Sequence, residues 1–437
     1  MSGTGQRLYT KAKTTIPGGT QLLSKRPEMF LPDQWPSYYS RARGVEVWDL
    51  DGNKYIDMSY NGMGACILGT ADPEVDEAVK AAIEAGSIST LNAPEEVELA
   101  ELLCELHPWA EMVRYARSGG EAMAIAVRIA RAWRRRDRVA FCGYHGWHDW
   151  YLADNLAEES ALDGHLLPGL EPAGVPRGLL GTALPFRYNR IEDLQAIVAR
   201  HHGELAAIVM EPLRDHEPGA GFLESVRSLA TETGAVLIFD EITTGFRLTT
   251  GGAHLVYGVE PDIAVFAKAI SNGYPMAAII GRAEVMQAAQ TTFISSTYWT
   301  ERIGPAAALA TLRKHRRCEV PKHLARIGTR IQAGWKAEAD RAGINVEVGG
   351  LKPLGHFALI GEHKQAARTL FTHLMLERGF LASSGFYATY AHQDQHVENY
   401  LKEVEQVFAI VAEALKRDTV MAQLKGPVAH TGFRRLT

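Results

Sequence analysis

The sequence lacks an apolar run long enough to cross a membrane. Apolar stretches such as Ala235–Phe239 and Ala277–Ile280 fall far short of the ~20 residues that span a bilayer. The first residues also lack a basic region followed by an apolar stretch, the pattern typical of a secretory signal. The sequence therefore predicts a cytoplasmic protein with no membrane partner.

Closely spaced cysteines are missing as well. The four cysteines, Cys66, Cys104, Cys142 and Cys318, lie far apart and show no Cys-x-x-Cys spacing of a zinc site or a redox pair. We interpret them as small buried apolar residues. The chain also has no Gly-x-Gly-x-x-Gly after a strand and no Gly-x-x-x-x-Gly-Lys-Ser/Thr loop. These two absences argue against a nicotinamide-binding domain and against an unrelated nucleotide-binding α/β protein.

The chain has no large excess of basic charge. Its net charge is -5, with 22% charged and 46% hydrophobic residues, which is typical of a soluble globular protein. The one concentrated basic stretch, residues 128–138, continues an apolar helical pattern, and we interpret it as the solvated end of a helix. No nucleic-acid partner is therefore predicted. At 437 residues the chain exceeds the roughly 250 to 300 residues of a single core, so two domains are expected.

The order of predicted elements divides the chain into three segments. Residues 1–60 contain a β-hairpin turning at Asp51 and Gly52 and are assigned to a small domain. Residues 61–310 alternate helices with apolar strands, which predicts a large α/β domain with a mainly parallel sheet covered on both faces. Residues 311–437 complete the smaller α+β domain. The predicted strands of the large domain are Val113–Ala116, Val139–Cys142, Ala206–Met210, Ala235–Phe239 and Ile263–Ala267.

The residues that follow these strands are the candidate ligand-binding residues, because open parallel α/β sheets bind ligands outside the carboxyl ends of their strands. Ser118, Gly119 and Gly120 follow the first strand and open a helix, where free N–H groups and the helix dipole favour phosphate. An ordinary helix N-cap is the alternative interpretation. The loop alone does not decide between the two.

The second strand leads to Tyr144, whose ring could stack on a planar ligand. His145 and His148 follow it three residues apart. A metal site built on these two histidines is the alternative, but the spacing is thin support for it. We predict no metal.

Two acids and a lysine complete the set. Glu211 ends the third strand, Asp240 the fourth, and Lys268 follows the fifth. A lysine that emerges from apolar surroundings loses hydration, which lowers its pKa and makes its amine more nucleophilic towards an aldehyde. A lone lysine of this kind usually just reaches solvent. Together with a phosphate cradle, an aromatic ring and an acid, however, it supplies the four groups that pyridoxal 5'-phosphate (PLP) requires.

On these residues the sequence resembles the fold-type I, class III PLP-dependent aminotransferases. Within them it is similar to the branch that includes glutamate-1-semialdehyde aminomutase, and the resemblance covers nearly the whole chain. Its specific motifs are the loop at residues 118–122, Tyr-His-Gly at 144–146, the segment 240–247 and the lysine segment 267–273.

The resemblance implies a role for each motif residue. It makes Lys268 the Schiff-base lysine, Asp240 the partner of the pyridine nitrogen, and Tyr144 and Ile242 the groups on either ring face. It places Thr297 on the phosphate of a neighbouring subunit, which implies a homodimer with a shared active site. The predicted catalytic residues are Lys268 and Asp240, and the predicted cofactor-binding residues are Ser118, Gly119, Gly120, Tyr144, Glu211, Asp240, Ile242, Lys268 and Thr297.

Two departures from the family pattern concern phosphate and substrate. Gly120 stands where the family loop carries a threonine, so one hydroxyl contact is lost. The segment 20–26 replaces the aminomutase pattern, and together with residues 298–301 it looks more like relatives that aminate oxidised sugars, including octulosonate-type sugar acids. The resemblance thus implies an aminotransferase that moves an amino group from a donor such as glutamate to a polar carbonyl acceptor, an oxidised sugar or sugar acid.

Two alternatives remain open at this point. An aminomutase would use the same residues to move an amino group within one molecule. A PLP-binding regulatory protein without turnover is the second, but such proteins carry a DNA-binding domain, and we expect no segment of that size before Gly44.

Overall fold

The computed structural model describes residues 3–158, 160–162, 169, 171–213 and 215–432. The strands are β1 (Tyr39–Arg43), β2 (Glu46–Asp49), β3 (Lys54–Asp57), β4 (Met112–Ala116), β5 (Arg138–Cys142), β6 (Ala183–Pro185), β7 (Leu205–Met210), β8 (Val236–Asp240), β9 (Ile263–Phe266), β10 (Ala277–Gly281), β11 (Val346–Leu351), β12 (Leu354–Leu359), β13 (Phe380–Leu381) and β14 (Gly385–Tyr387). The helices are α1 (Thr4–Thr15), α2 (Pro73–Glu84), α3 (Pro94–Leu106), α4 (Gly119–Arg134), α5 (Asp149–Leu152), α6 (Ile191–Arg200), α7 (Phe222–Thr233), α8 (His254–Tyr257), α9 (Ala283–Met286), α10 (Ile303–Arg317), α11 (Val320–Ala342), α12 (Lys364–Glu377), α13 (Asp394–Lys416) and α14 (Val420–Gln423). In this described part, no helix has the length and apolar character needed to cross a membrane.

The chain forms two compact units. The small unit consists of Met1–Asp72 and Lys322–Thr437, and the large unit, which contains the largest sheet, is Pro73–Pro321. The sequence placed these boundaries at residues 60 and 310, about a dozen residues too early in each case. The first boundary moves because Gly44 and Thr70 exchange backbone hydrogen bonds of 2.7 and 2.9 Å, which keeps residue 70 with the hairpin.

The second boundary moves because helix α10 belongs to the large unit. Lys314 and Arg317, in its last turn, pair with Glu74 of helix α2 at 3.1 and 2.6 Å. These contacts join two helices that are far apart in the chain, and sequence periodicity carries no information about such pairing.

The large unit is built on a seven-stranded sheet with the order β4-β10-β9-β8-β7-β5-β6. Only β10 runs antiparallel, pairing with both β4 and β9. The five strands predicted from the sequence occur within one residue of their predicted ends. The prediction of an α/β fold with a mainly parallel sheet is confirmed, and the carboxyl ends of β4, β5, β7, β8 and β9 meet at one edge.

Apolar side chains cover both faces of this sheet. On one face, helix α4 packs over a cluster that includes Phe141, Val209 and Ile238. On the other, a second cluster gathers Leu237 and Phe239. Full burial of each such side chain contributes roughly 1.5–3 kcal/mol, so the sheet provides a rigid frame for the loops at its carboxyl edge.

Two sequence interpretations need correction here. The basic stretch is not simply a solvated helix end: the helix stops at Arg134, and Arg136 donates to the backbone carbonyls of Leu205 and Thr233 at 3.2 and 3.1 Å. Among the cysteines, Cys142 is buried and the other three are only half-buried. Both the contacts of Arg136 and the burial of each cysteine depend on segments that are distant in the sequence, so the local sequence does not specify them.

The small unit contains two separate sheets. Their strand orders are β1-β2-β3-β13 and β11-β12-β14, and β2 with β3 forms the predicted hairpin. Helices α11 and α13 meet through Trp335, whose indole N–H donates to the hydroxyl of Tyr400 at 2.9 Å while both side chains are buried. This unit combines helices with mainly antiparallel strands, as an α+β unit does, although β13 pairs in parallel with β3.

Candidate active site

Lys268 lies at the carboxyl edge of the sheet, two residues beyond β9. It begins a short 3-10 helix, Lys268–Ser271, with a backbone φ of 50°. A positive φ is uncommon for a side chain of this size, and such backbone strain clusters at functional sites. The amine of Lys268 donates to the hydroxyl of Thr243 at 2.9 Å.

Desolvation lowers the pKa of the half-buried Lys268 amine. The positive charge of Arg247 lowers this pKa further, while the carboxylates of Asp240 and Glu211 act in the opposite direction. The net direction is downward, which increases the fraction of free amine at neutral pH. The side chain thus has the electrostatic setting of a nucleophilic lysine.

Asp240 is the last residue of β8 and is only 3% exposed. One carboxylate oxygen accepts the backbone N–H of Ile242 at 3.0 Å, and the other lies 2.8 Å from His145 Nδ1. His145 Nε2 lies 3.1 Å from the carbonyl oxygen of Cys142, so both ring nitrogens have an oxygen neighbour. The imidazole is held in place and in turn orients the carboxylate.

His145 is a residue whose part in the site the sequence did not reveal. The sequence offered it as an ordinary loop histidine or a weak metal ligand, whereas the structure places it against Asp240. The Tyr-His-Gly motif includes this histidine, but the sequence does not show which way its side chain points, because side-chain direction in a loop depends on the neighbouring strand.

Tyr144 and Glu211 follow adjacent strands, and the structure brings them together. The Tyr144 backbone N–H donates to Glu211 Oε2 at 3.2 Å. Gly143, with φ of 116°, makes this approach possible, because a Cβ there would lie 2.5 Å from the same carboxylate oxygen. Burial raises the pKa of Tyr144, and so does the negative charge of Asp240 and Glu211. All three side chains therefore lie near one another.

The first turn of helix α4 approaches both Ile242 and Gly146 closely. A Cβ on Gly119 would lie 2.8 Å from Ile242 Cδ1, and a Cβ on Gly146 would lie 2.9 Å from the Gly120 Cα. Ser118 is the N-cap of the helix. Glycines let the backbone pack this tightly while N–H groups at the helix start remain available to an anion.

Thr297 lies in a short helix, Thr297–Thr300, and is exposed in the single chain. Arg117 ties this segment to the end of β4: its guanidinium donates to the carbonyl oxygens of Trp299 and Glu301 at 3.0 and 2.9 Å. It also pairs with the Glu301 carboxylate at 2.8 Å. The role of Thr297 in a neighbouring subunit stays a prediction.

This arrangement fits PLP. A desolvated lysine amine, a buried and oriented carboxylate, an aromatic ring and a glycine-rich helix start meet at one sheet edge, and together they match the aldehyde, ring nitrogen, ring face and phosphate of that cofactor. Within residues 3–432, masked positions aside, no group of three or more His, Cys, Asp or Glu side chains is placed to hold a metal ion.

Comparison with known families identifies the family of this chain. The family model described as aminotransferase class-III matches residues 32–408. The chain belongs to the class-III aminotransferases. Members of this family depend on PLP, so the cofactor predicted from the sequence is confirmed, as are the enzyme class and the family resemblance.

Relatives of this class-III aminotransferase include enzymes of two kinds. It is 31% identical over 422 residues to a 3-aminobutyryl-CoA aminotransferase of Cloacimonas acidaminovorans, covering 93% of this chain and 97% of the relative. It is 33% identical over 433 residues to a glutamate-1-semialdehyde 2,1-aminomutase of Heliobacterium modesticaldum, again covering 93% and 97%.

Among solved structures, the FumI protein of Sphingopyxis sp. MTA144 in its PLP internal aldimine form superposes with a TM-score of 0.86 at 25% identity, covering 97% of this chain and 99% of that one. An ω-transaminase from Sphaerobacter thermophilus gives 0.83 at 26% identity, covering 94% and 98%. These neighbours confirm the fold-type I prediction.

Proposed function

We propose that this class-III aminotransferase moves an amino group from a donor such as glutamate to a polar carbonyl acceptor, with Lys268 and Asp240 as its catalytic residues. The observation that carries the proposal is the Lys268 amine, which has a lowered pKa and lies at the same sheet edge as the oriented Asp240 carboxylate.

The chain's own residues divide the chemical work. PLP, when bound, supplies a ring that accepts electrons from the substrate. Lys268 would hold the cofactor covalently, give way to the amino donor, and then carry a proton away from the donor's α-carbon as a general base. Asp240 would keep a proton on the pyridine nitrogen. Tyr144 and Ile242 would hold the ring between them, and Ser118, Gly119 and Gly120 would bind the phosphate.

An aminomutase is the second candidate function. Relatives named as glutamate-1-semialdehyde aminomutases are 32–33% identical to this chain, and the residues described above suit both reactions. The two differ in whether the deaminated product leaves before the amino group is returned.

The acceptor we propose is an oxidised sugar or sugar acid. The altered segment at residues 20–26 supports it, because Gln21, Ser24 and Lys25 are exposed and offer hydrogen-bonding groups and positive charge. Polar binding groups reject substrates that leave them unpaired, so groups of this kind would suit a hydroxylated acid better than an aliphatic aldehyde.

A rapid-mixing screen tests the reaction and the acceptor together. Glutamate first transfers its amino group to the cofactor of the enzyme, and excess glutamate is removed. The aminated enzyme is then mixed with sugar aldehydes or keto sugars, with simple keto acids, or with glutamate-1-semialdehyde, while the cofactor absorbance is followed. We expect the sugar compounds to react fastest. Reaction with the semialdehyde alone would establish the aminomutase, and reaction with simple keto acids alone would refute the sugar acceptor.

We also propose that the active unit is a homodimer in which each subunit lends Thr297 to the other's phosphate site. Large apolar side chains near this segment support a covering partner, since Phe293 is 85% exposed, Tyr298 71% and Trp147 68%. Trp147 and Phe293 line a groove of about 690 Å³ together with Trp299. Exposed apolar groups this concentrated are typical of protein interfaces.

Mixing two inactive subunits tests the shared site. A Lys268→Ala subunit combined with a Thr297→Ala subunit should form heterodimers with one intact site each, because two-fold symmetry pairs the normal lysine with the normal threonine. We expect the mixed dimers to regain about half of the wild-type activity per dimer. If Thr297 served its own subunit, both sites of the heterodimer would be defective and no activity would return.

A further inference from the structure

A buried arginine, Arg247, is hydrogen-bonded to Thr243, the residue whose hydroxyl contacts Lys268. Arg247 is 1% exposed, and its Nε donates to the backbone carbonyl of Thr243 at 3.1 Å. The hydroxyl of the same threonine accepts from the Lys268 amine at 2.9 Å. Thr243 therefore connects a permanent cation to the lysine amine through two hydrogen bonds.

The backbone that carries Arg247 is fixed on both sides. Phe246 has a positive φ of 66°, and its N–H donates to Gly251 at 2.8 Å. Its carbonyl lies 2.8 Å from His315 Nε2, while His315 Nδ1 lies 2.9 Å from the Thr250 hydroxyl. Burial, aided by the charge of Arg247, lowers the pKa of His315 to about 4. The neutral imidazole donates to Phe246 and holds the arginine in position.

The charges that face Lys268 come from three elements. Asp240 and Glu211, at the ends of β8 and β7, both favour the ammonium form, while Arg247 opposes it. His315, on α10, is neutral near pH 7. Asp240 has to be anionic to serve a ring nitrogen, so it also stabilises the ammonium form of Lys268. A guanidinium remains charged throughout the physiological pH range, so Arg247 can offset this stabilisation of the ammonium form.

We propose that Arg247 is a positioning residue that keeps the Lys268 amine as the free base, offsetting the two nearby carboxylates while it holds Thr243 in place. The inference rests on the proposed role of Lys268. It concerns how readily the amine reacts, and it assigns Arg247 no contact with substrate or cofactor.

The test measures the titration of Lys268 in the full-length, cofactor-free protein. The rate of reductive methylation of Lys268 is followed against pH by peptide mapping. We expect Arg247→Gln, which keeps a hydrogen-bond donor but removes the charge, to raise the midpoint by about one pH unit and to slow methylation near pH 7 about tenfold. Arg247→Lys, which keeps the charge, should leave the midpoint near that of the wild type.

Two further variants separate charge from structural support. Arg136→Gln is the matched control, because Arg136 also donates to backbone carbonyls but lies at the opposite edge of the sheet; the Lys268 midpoint should not move. Thr243→Val removes the acceptor of the lysine hydrogen bond, which disfavours the ammonium and should lower the midpoint. A purely structural role of Arg247 would therefore shift the midpoint downward, opposite to our prediction.

An unchanged or lowered midpoint in Arg247→Gln, with a melting curve showing a folded protein, overturns the inference. Arg247→Met serves as a second neutral variant if the glutamine variant does not fold, and the same upward shift is expected. Borohydride trapping of the wild type separates this failure from that of the proposed function: if Lys268 is trapped and the midpoint does not rise, only the role of Arg247 is wrong.

Discussion

Replacing Lys268 with alanine is expected to lower the rate of amino transfer by at least about a thousandfold. The change removes both the covalent attachment point and the proposed proton carrier, and these functions cannot be supplied by a methyl group. Single-turnover kinetics with glutamate would measure the loss directly. Adding a small primary amine should restore part of the rate, because the amine can enter the space that the lysine side chain leaves.

Lys80→Ala is the control for this variant. Lys80 is 68% exposed on helix α2, so its removal should leave the rate close to that of the wild type. If Lys268→Ala kept more than about a tenth of the wild-type rate, the general-base role assigned to Lys268 would be wrong.

Asp240→Asn is expected to retain PLP but to lower the rate about a hundredfold or more. A neutral amide stabilises a protonated pyridine nitrogen far less than a carboxylate does, although its oxygen can still face His145. Steady-state rates and the cofactor spectrum of the purified variant measure the two effects separately.

The matched control is Asp262→Asn. Asp262 also accepts a backbone N–H, that of Leu237 at 2.8 Å, and pairs with Arg227 at 3.0 Å, but it lies at the opposite end of the strands. Its replacement should affect stability more than catalysis. Near-normal turnover in Asp240→Asn would contradict the role proposed for the carboxylate.

The sequence was sufficient to predict five of the seven strands of the large sheet and the residues that follow them. Apolar runs bounded by polar or glycine-rich segments located β5 and β7 within one residue, because such strands are buried on both faces. The side chains after them could then be listed as neighbours, since parallel strands end at a common edge. Tyr144 and Glu211 illustrate this: they are 67 positions apart in the chain and joined by a hydrogen bond.

The contacts that tune these residues could not be predicted in the same way. The approach of His145 to Asp240 depends on how a loop turns after its strand, and the link from Arg247 through Thr243 to Lys268 depends on two loops meeting. Strands β6 and β10 were not among the predicted strands, and the antiparallel direction of β10 could not be inferred from its short apolar run. These features arise from tertiary packing, which periodicity does not record.

The most direct test of the central claim is to find which lysine carries the cofactor. The purified holoenzyme is reduced with borohydride, which makes the lysine linkage permanent, then digested, and the modified peptide is sequenced by mass spectrometry. Our account predicts the modification on Lys268, in the peptide that contains residues 267–273. A modification on any other lysine would contradict the site described here.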